Sequence, residues 1–193
     1  MVEKLERNPD YPGLFEMAFG NRPVTRDLAV KAIAQFERTL ISSNSKYDRF
    51  LAGRAELSPR EQLGFELFNN ETGDCFHCHG TILFTDNQFH NNGIDVAPSD
   101  SGLAAITGRI FDLGKFKSPT LRNIEYTAPY MHDGRFATLE EVVEFYSSGI
   151  RKSALTDPLL RARRHTLSPE QQEALVAFLK TLSDPGFLQS IDP

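Results

Sequence analysis

Tryptophan is absent from the 193 residues, cysteine occurs twice and methionine three times. Without tryptophan, no indole relay can carry electrons within the chain. Two cysteines with no second Cys or His pair at short spacing fall short of the four ligands that a structural zinc site needs. No apolar run approaches the ~20 residues of a bilayer span, so no membrane span is expected. The first residues, Met1-Val-Glu-Lys-Leu-Glu-Arg, are too charged for a signal peptide. A strong excess of one charge is also missing, since 21 basic and 26 acidic side chains leave −5. The densest basic cluster, Arg161, Arg163 and Arg164 with His165, is short and reads as a solvated face, so nucleic acid is not an expected partner. With 40% apolar residues, the chain can bury one or two compact cores.

What is present reads as helix. Thr25 to Ile41 carries Ala29, Ile33, Phe36 and Leu40 on one stripe, which predicts a helix with a buried face. Residues 42–57 turn polar and mark a connection. Ser58-Pro-Arg-Glu61 combines a capping box with proline at the first helical position, and Leu63, Leu67 and Phe68 follow, so a helix leads to the cysteines. Gly80 to Lys117 shows no sustained period and predicts a long loop that wraps something. Thr138-Leu-Glu-Glu141 and Ser168-Pro-Glu-Gln171 are two further capping boxes. The second opens a helix with Leu175, Phe178, Leu179 and Leu182 on one face, ended by Asp184-Pro-Gly. Strand signals are weak throughout, which makes the expected class all-α.

Both cysteines sit in Asp74-Cys-Phe-His-Cys-His-Gly80. Thiols three positions apart can add to the two vinyl groups of one porphyrin, and the adjacent histidine then lies under the iron. A thioredoxin-like pair belongs beside a βαβ unit, which this helical chain does not suggest. The motif predicts one covalent haem c on Cys75 and Cys78, with His79 as proximal ligand. His77 lies between the cysteines and can hardly reach the same iron. His90, His132 and His165 are further candidates, although a surface or hydrogen-bonded histidine is the commoner case. Haem is normally attached to this motif after export, so the expected location is periplasmic, with a leader removed or the chain forming part of a longer exported protein.

The ligand on the far side of the iron is open from the residues alone. Met131, in Ala-Pro-Tyr-Met131-His-Asp-Gly-Arg, is the obvious choice, because Met1 is terminal and Met17 lies well before the motif. Tyr146 is the second choice. In a helix starting at Thr138 it shares the apolar stripe of Leu139, Val142 and Val143, and a buried tyrosine oxygen needs a polar partner. Iron or an ordinary core hydrogen bond could serve.

The run FKSPTLRNIEYTAPYMHDGRFATLEEVVEFYSSG, residues 116–149, closely resembles the C-terminal haem domain of the bacterial di-haem cytochrome c peroxidase and MauG family. AIAQFERTLISSNSKYDRFL, LFTDNQFHNNG and LSPEQQEALVAFLKTLSDP extend the resemblance over nearly the whole chain. It implies a cytochrome c-type haem domain at 56–193, preceded by a helical junction segment at 1–55. In that family the distal ligand comes from the helix after the His-Asp-Gly turn, methionine in the peroxidases and tyrosine in MauG. Alignment on TLEEVVEFYSSG places Tyr146 there, whereas Met131 falls where many members have phenylalanine. The resemblance further implies Arg122 and Arg135 as propionate partners, and calcium held partly by backbone carbonyls at Thr127 and Pro129. The family's asparagine ligand to that calcium belongs to the other domain.

The resemblance makes the expected function that of a relay of electrons or oxidising equivalents. Its expected partners are an N-terminal haem domain, where hydrogen peroxide reacts, and a small electron-donor protein or protein substrate. A phenolate is a hard anionic donor, so a His79/Tyr146 haem should have a lower potential than a His/Met haem. Two alternatives remain at this stage. One is a stand-alone mono-haem electron-transfer cytochrome with Met131 as ligand, and the other is a five-coordinate haem that itself reacts with peroxide.

Overall fold

A computed structural model describes residues 1–162 and 164–191; Arg163 of the basic cluster lies outside the described residues. The chain divides into two compact units, Met1–Ser42 with the C-terminal end from Phe187, and Ser43–Gly186. Among the described residues, no helix is long and apolar enough to cross a membrane.

The first unit contains α1 (Val2–Arg7), α2 (Asp10–Phe19) and α3 (Arg26–Glu37). Thr25 caps α3 by accepting the Leu28 N–H at 3.2 Å. The core of this unit is small, built on Phe15, Leu28 and Ala29 with Leu5, Phe19 and Val24 packed around them. The predicted buried stripe therefore holds only at its start. Ile33 is 53% and Phe36 64% exposed, because the cluster reaches only the first half of α3. The helix also stops at Glu37, short of Ile41.

The second unit is helical around a small two-stranded ladder. Its elements are α4 (Lys46–Leu51), α5 (Pro59–Phe68), α6 (Phe76–His79), β1 (Phe89–His90), α7 (Ala104–Thr107), β2 (Phe116–Lys117), α8 (Leu139–Glu144), α9 (Pro158–Ala162) and α10 (Pro169–Lys180). A final helix, α11 (Pro185–Ile191), ends the described chain. β1 and β2 run antiparallel, with Phe89 paired to Lys117 and His90 to Phe116. The stretch read as one loop thus holds short helical turns and this ladder. The three predicted capping boxes are present at Ser58, Thr138 and Ser168. A fourth, at Ser45 with Asp48, opens α4.

The second unit's core forms where α5 meets α10. Leu175, Phe178, Leu179 and Leu182 are buried as their spacing predicts, and Phe68 packs against Phe178 with ring centroids 5.2 Å apart and the planes tilted by 58°. Tyr47, Phe65 and Phe84 complete the aromatic cluster around Phe178, a contact geometry that adds stability beyond area burial. The chain ends of this unit are also tied together. Buried Asp184 accepts the N–H groups of Ser43 and Asn44 at 3.1 and 2.9 Å, and its own N–H donates to Asn123 Oδ1 at 2.8 Å.

The α5–α10 approach depends on Gly64. A Cβ there would overlap the backbone carbonyl of Ala174 and lie 2.8 Å from Phe178 Cβ. Backbone cannot swing aside as a flexible side chain can. Gly64→Ala is expected to destabilise the protein by about 3 kcal/mol or more, at the upper end of overpacking effects. A thermal or denaturant midpoint within error of the parent would refute this account of the contact.

Candidate haem site

One cavity of about 700 Å³ gathers most of the residues singled out in the sequence, a size suited to a cofactor. Cys75, Cys78 and His79 come to it from the α6 turn. Tyr146, with Leu139, Val142 and Val143, comes from α8 and the turn after it. Leu160, Leu167, Leu175 and Leu179 supply much of the apolar lining. The fit to haem rests on the donor set.

His79 is prepared as a ligand. Its Nδ1 lies 2.7 Å from the Phe84 carbonyl oxygen. A carbonyl can only accept, so Nδ1 carries the proton and Nε2 keeps its lone pair. Burial, opposed in part by that bond, pulls the imidazole below its ordinary value and keeps it neutral. The Cys78 thiol is pushed up to about 12 by burial first, and then by Asp86, Asp157 and Asp74. Such a thiol is neutral and retains the hydrogen that addition to a vinyl group uses. Cys75 Sγ lies 3.3 Å from the Gly73 carbonyl, and the two cysteines are not joined. This donor set fits a covalently held haem.

Both candidate distal ligands line the same cavity. Tyr146 sits in a π-helical turn, Phe145–Gly149, that continues α8. Single π turns recur at functional sites, and neither the capping box nor the apolar spacing reveals this one. Met131 is held at φ +71°, a left-handed backbone that is uncommon for a residue with a long side chain. A residue that sequence reasoning missed connects the two. Asn92 Nδ2 lies 3.3 Å from Tyr146 Oη and 3.5 Å from Met131 Sδ.

The remaining histidines are differently placed. His90 lines the cavity, but its Nδ1 is 2.8 Å from Asp157 and its Nε2 2.7 Å from Asp86. Burial opposes its charge, and the two carboxylates together outweigh burial and raise its pKa. Both of its nitrogens are thus engaged by carboxylates. His132 lines the cavity and stacks on Phe116 at 3.8 Å. His77 is turned to Asp74, with Nδ1 2.5 Å from Oδ1, and His165 is exposed.

The two arginines do not present open guanidinium groups to the cavity. Arg122 lines it, but Nη1 and Nη2 donate to the Asp48 carboxylate at 3.0 Å each, and Nε to the Ile82 carbonyl at 3.2 Å. Arg135 is absent from the lining. It is held by Asp95, with Nη1 and Nη2 at 3.1 and 2.8 Å, and by Asp133. These carboxylates lie 74 and 40 residues from their partners in sequence. Thr127 and Pro129 line the cavity, and Thr127 Oγ1 donates to the Ile124 carbonyl at 3.2 Å.

A largely shielded pair, Asp48–Arg122 (side chains 14% and 12% exposed), therefore braces the cavity rim. Burial alone would raise the Asp48 carboxyl. Hydrogen bonds from Arg122 and Ser45 outweigh it and hold the group below 3.8. A depressed carboxylate stabilises fully above its ordinary value, and that contribution disappears as pH falls through the lowered one. Unfolding free energy should accordingly decline on acidification below about pH 4, and Asp48→Asn should flatten that decline while lowering stability at pH 7. An unchanged acid limb in the variant would show that the pair is not the source.

A helical unit whose Cys-x-x-Cys-His turn opens into a cofactor-sized apolar cavity is a cytochrome c-type fold. Comparison with known proteins narrows this further. The profile of the family described as di-haem cytochrome c peroxidase matches residues 1–56. Over 98% of its length the chain is 32% identical to the methylamine utilization protein MauG of Methylophilus methylotrophus, of which it covers 56%. Over 96% of its length it is 35% identical to the cytochrome c551 peroxidase of Nitrosomonas europaea, of which it covers 53%. A solved structure of a MauG-like protein associated with microbial copper homeostasis superposes with a TM-score of 0.83 at 37% identity, covering 98% of this chain and 63% of that one. The chain belongs to the di-haem cytochrome c peroxidase and MauG family of oxidoreductases, whose cofactor is haem c. It spans somewhat more than half the length of the curated relatives it matches.

Proposed function

We propose that this chain is the C-terminal, relay haem domain of a periplasmic di-haem peroxidase or MauG-like oxidoreductase. In this reading, Cys75 and Cys78 would anchor one haem, and His79 Nε2 and the Tyr146 oxygen would be the iron's protein ligands. Bound haem would supply one-electron exchange. The residues of this chain contribute binding, orientation and exclusion of water by the leucine and valine lining. The observation that carries the reading is that a single cavity unites the α6 thiols, a neutral His79 with its Nε2 lone pair available, and Tyr146.

A relay role is supported over direct reaction with peroxide by what else lines the cavity. Its carboxylate, Asp74, is engaged with His77, and His90 is locked between Asp86 and Asp157. Neither is placed as a mobile acid–base group. Peroxide would then react at a partner haem domain, with residues 1–55 as the junction towards it. The match of the family profile to residues 1–56 supports that assignment. An electron-donor protein or a protein substrate completes the set of proposed partners.

A second reading, a stand-alone electron-transfer cytochrome ligated by Met131, draws on the closeness of the Met131 sulfur to Tyr146 through Asn92. Ultraviolet-visible and EPR spectra of the haem-loaded ferric chain separate the two. Tyr146→Phe is expected to change spin state and spectrum and to raise the reduction potential, and Met131→Leu to leave the spectrum as it was. The reverse pattern would assign the iron to Met131.

Calcium held by the Thr127 and Pro129 carbonyls belongs to the same proposal, with the coordination completed from the partner domain, since hard cations take 6–8 oxygens. Millimolar calcium is therefore expected to leave the melting temperature of this chain unchanged. A chelator-sensitive melting temperature would instead mean that the chain holds the ion unaided.

A further inference from the structure

Asn92 occupies a turn fixed on every side. Next to it, Asn91 is buried and closes the turn, accepting the Gly93 N–H on Oδ1 at 2.9 Å and donating from Nδ2 to the Leu113 carbonyl at 3.0 Å. The Asn91 and Gly93 carbonyls accept the N–H groups of Asp157 and Arg151 at 2.9 and 2.8 Å. Gly93 has φ +72°, and a Cβ there would come 2.9 Å from the Arg151 carbonyl oxygen. The turn therefore has little room to shift.

The orientation of the Asn92 amide follows from its own partner. Oδ1 accepts the Ile94 N–H at 3.2 Å. A backbone N–H can only donate, so the oxygen must face it, and the NH2 group faces the cavity. Its two hydrogens then meet two acceptors, Tyr146 Oη at 3.3 Å and Met131 Sδ at 3.5 Å.

We infer that Asn92 is a positioning residue that tunes the distal side of the haem by donating one N–H to the Tyr146 oxygen while its other N–H holds the Met131 sulfur. This rests on the reading of Tyr146 as distal ligand. A donor on an anionic oxygen withdraws electron density from it, and bonds to charged acceptors are the stronger kind. The tyrosine oxygen becomes a weaker donor to ferric iron, and the ferrous state becomes easier to reach. The second bond occupies a lone pair that the thioether would otherwise offer to a metal. One amide thus favours oxygen over sulfur and moderates the oxygen it favours.

The test uses the haem-loaded chain with Met131→Leu throughout, which removes the competing sulfur, in a four-member cycle: this background, and the same with Asn92→Leu, with Tyr146→Phe and with both. Reduction potentials and ferric spectra are measured, with circular dichroism as a check on folding. Asn92→Leu removes both donors at similar size. It is expected to lower the potential by about tenfold in the reduction equilibrium, or about 59 mV for one electron, and to shift the ferric spectrum. In the Tyr146→Phe background the same change should have little effect on the potential. If Asn92→Leu shifts the potential equally in both backgrounds, or shifts neither, Asn92 does not act through the tyrosine oxygen and the inference fails. If Tyr146→Phe alone leaves spectrum and potential untouched, the distal-ligand reading fails, and this inference with it. Should Asn92→Leu not fold, Asn92→Ala, smaller and also without a donor, is read by the same criteria.

Discussion

The contact between Gly64 and Ala174 sets the geometry on which the second unit is built. It lets α5 and α10 approach to backbone distance, and that distance seats Phe68 against Phe178. From α5 the chain runs within a few residues into the cysteine turn, and Leu175 and Leu179 of α10 line the cavity into which that turn opens. Helix packing and cofactor site are thus one construction. The two chemical ends of the cavity are then set by short-range devices, the Phe84 carbonyl that selects the His79 tautomer and the π turn that carries Tyr146.

The electrostatics around the cavity keep most ionisable groups occupied elsewhere. Arg122 is spent on Asp48, Arg135 on Asp95 and Asp133, and His90 on Asp86 and Asp157. Of the groups lining the apolar interior, Asp74, His90 and Arg122 are already paired. Such an arrangement makes the neutral dipoles that face the cavity, such as the Asn92 amide, proportionally more influential.

Local signals in the chain were legible wherever the chemistry is local. Capping boxes at Ser58, Thr138 and Ser168 are three-residue patterns with one physical meaning, and the apolar spacing of α10 matched its buried face. The Cys-x-x-Cys-His spacing and the Leu139–Tyr146 stripe led to the same cavity. Long-range pairings escaped, because nothing near Arg122 in sequence points to Asp48, and nothing near Arg135 points to Asp95. The exposed half of α3 escaped for another reason. Periodicity shows that a face is apolar without saying whether a partner covers it, and the core of the first unit reaches only Leu28 and Ala29. Asn92 was hidden in an Asn-Asn-Gly run whose plain reading is a turn.

The clasp at Asp184 has a topological consequence. One carboxylate receives the first two backbone N–H groups of a unit whose last residues surround it, so the chain enters and leaves the unit at adjoining points. A fold closed in this way can be spliced into a longer polypeptide, or shuffled between architectures, without its interior being opened, because flanking sequence meets it at one place on its perimeter. The cofactor cavity, enclosed between residues 68 and 179, lies wholly inside that perimeter and would travel with it as a single heritable module.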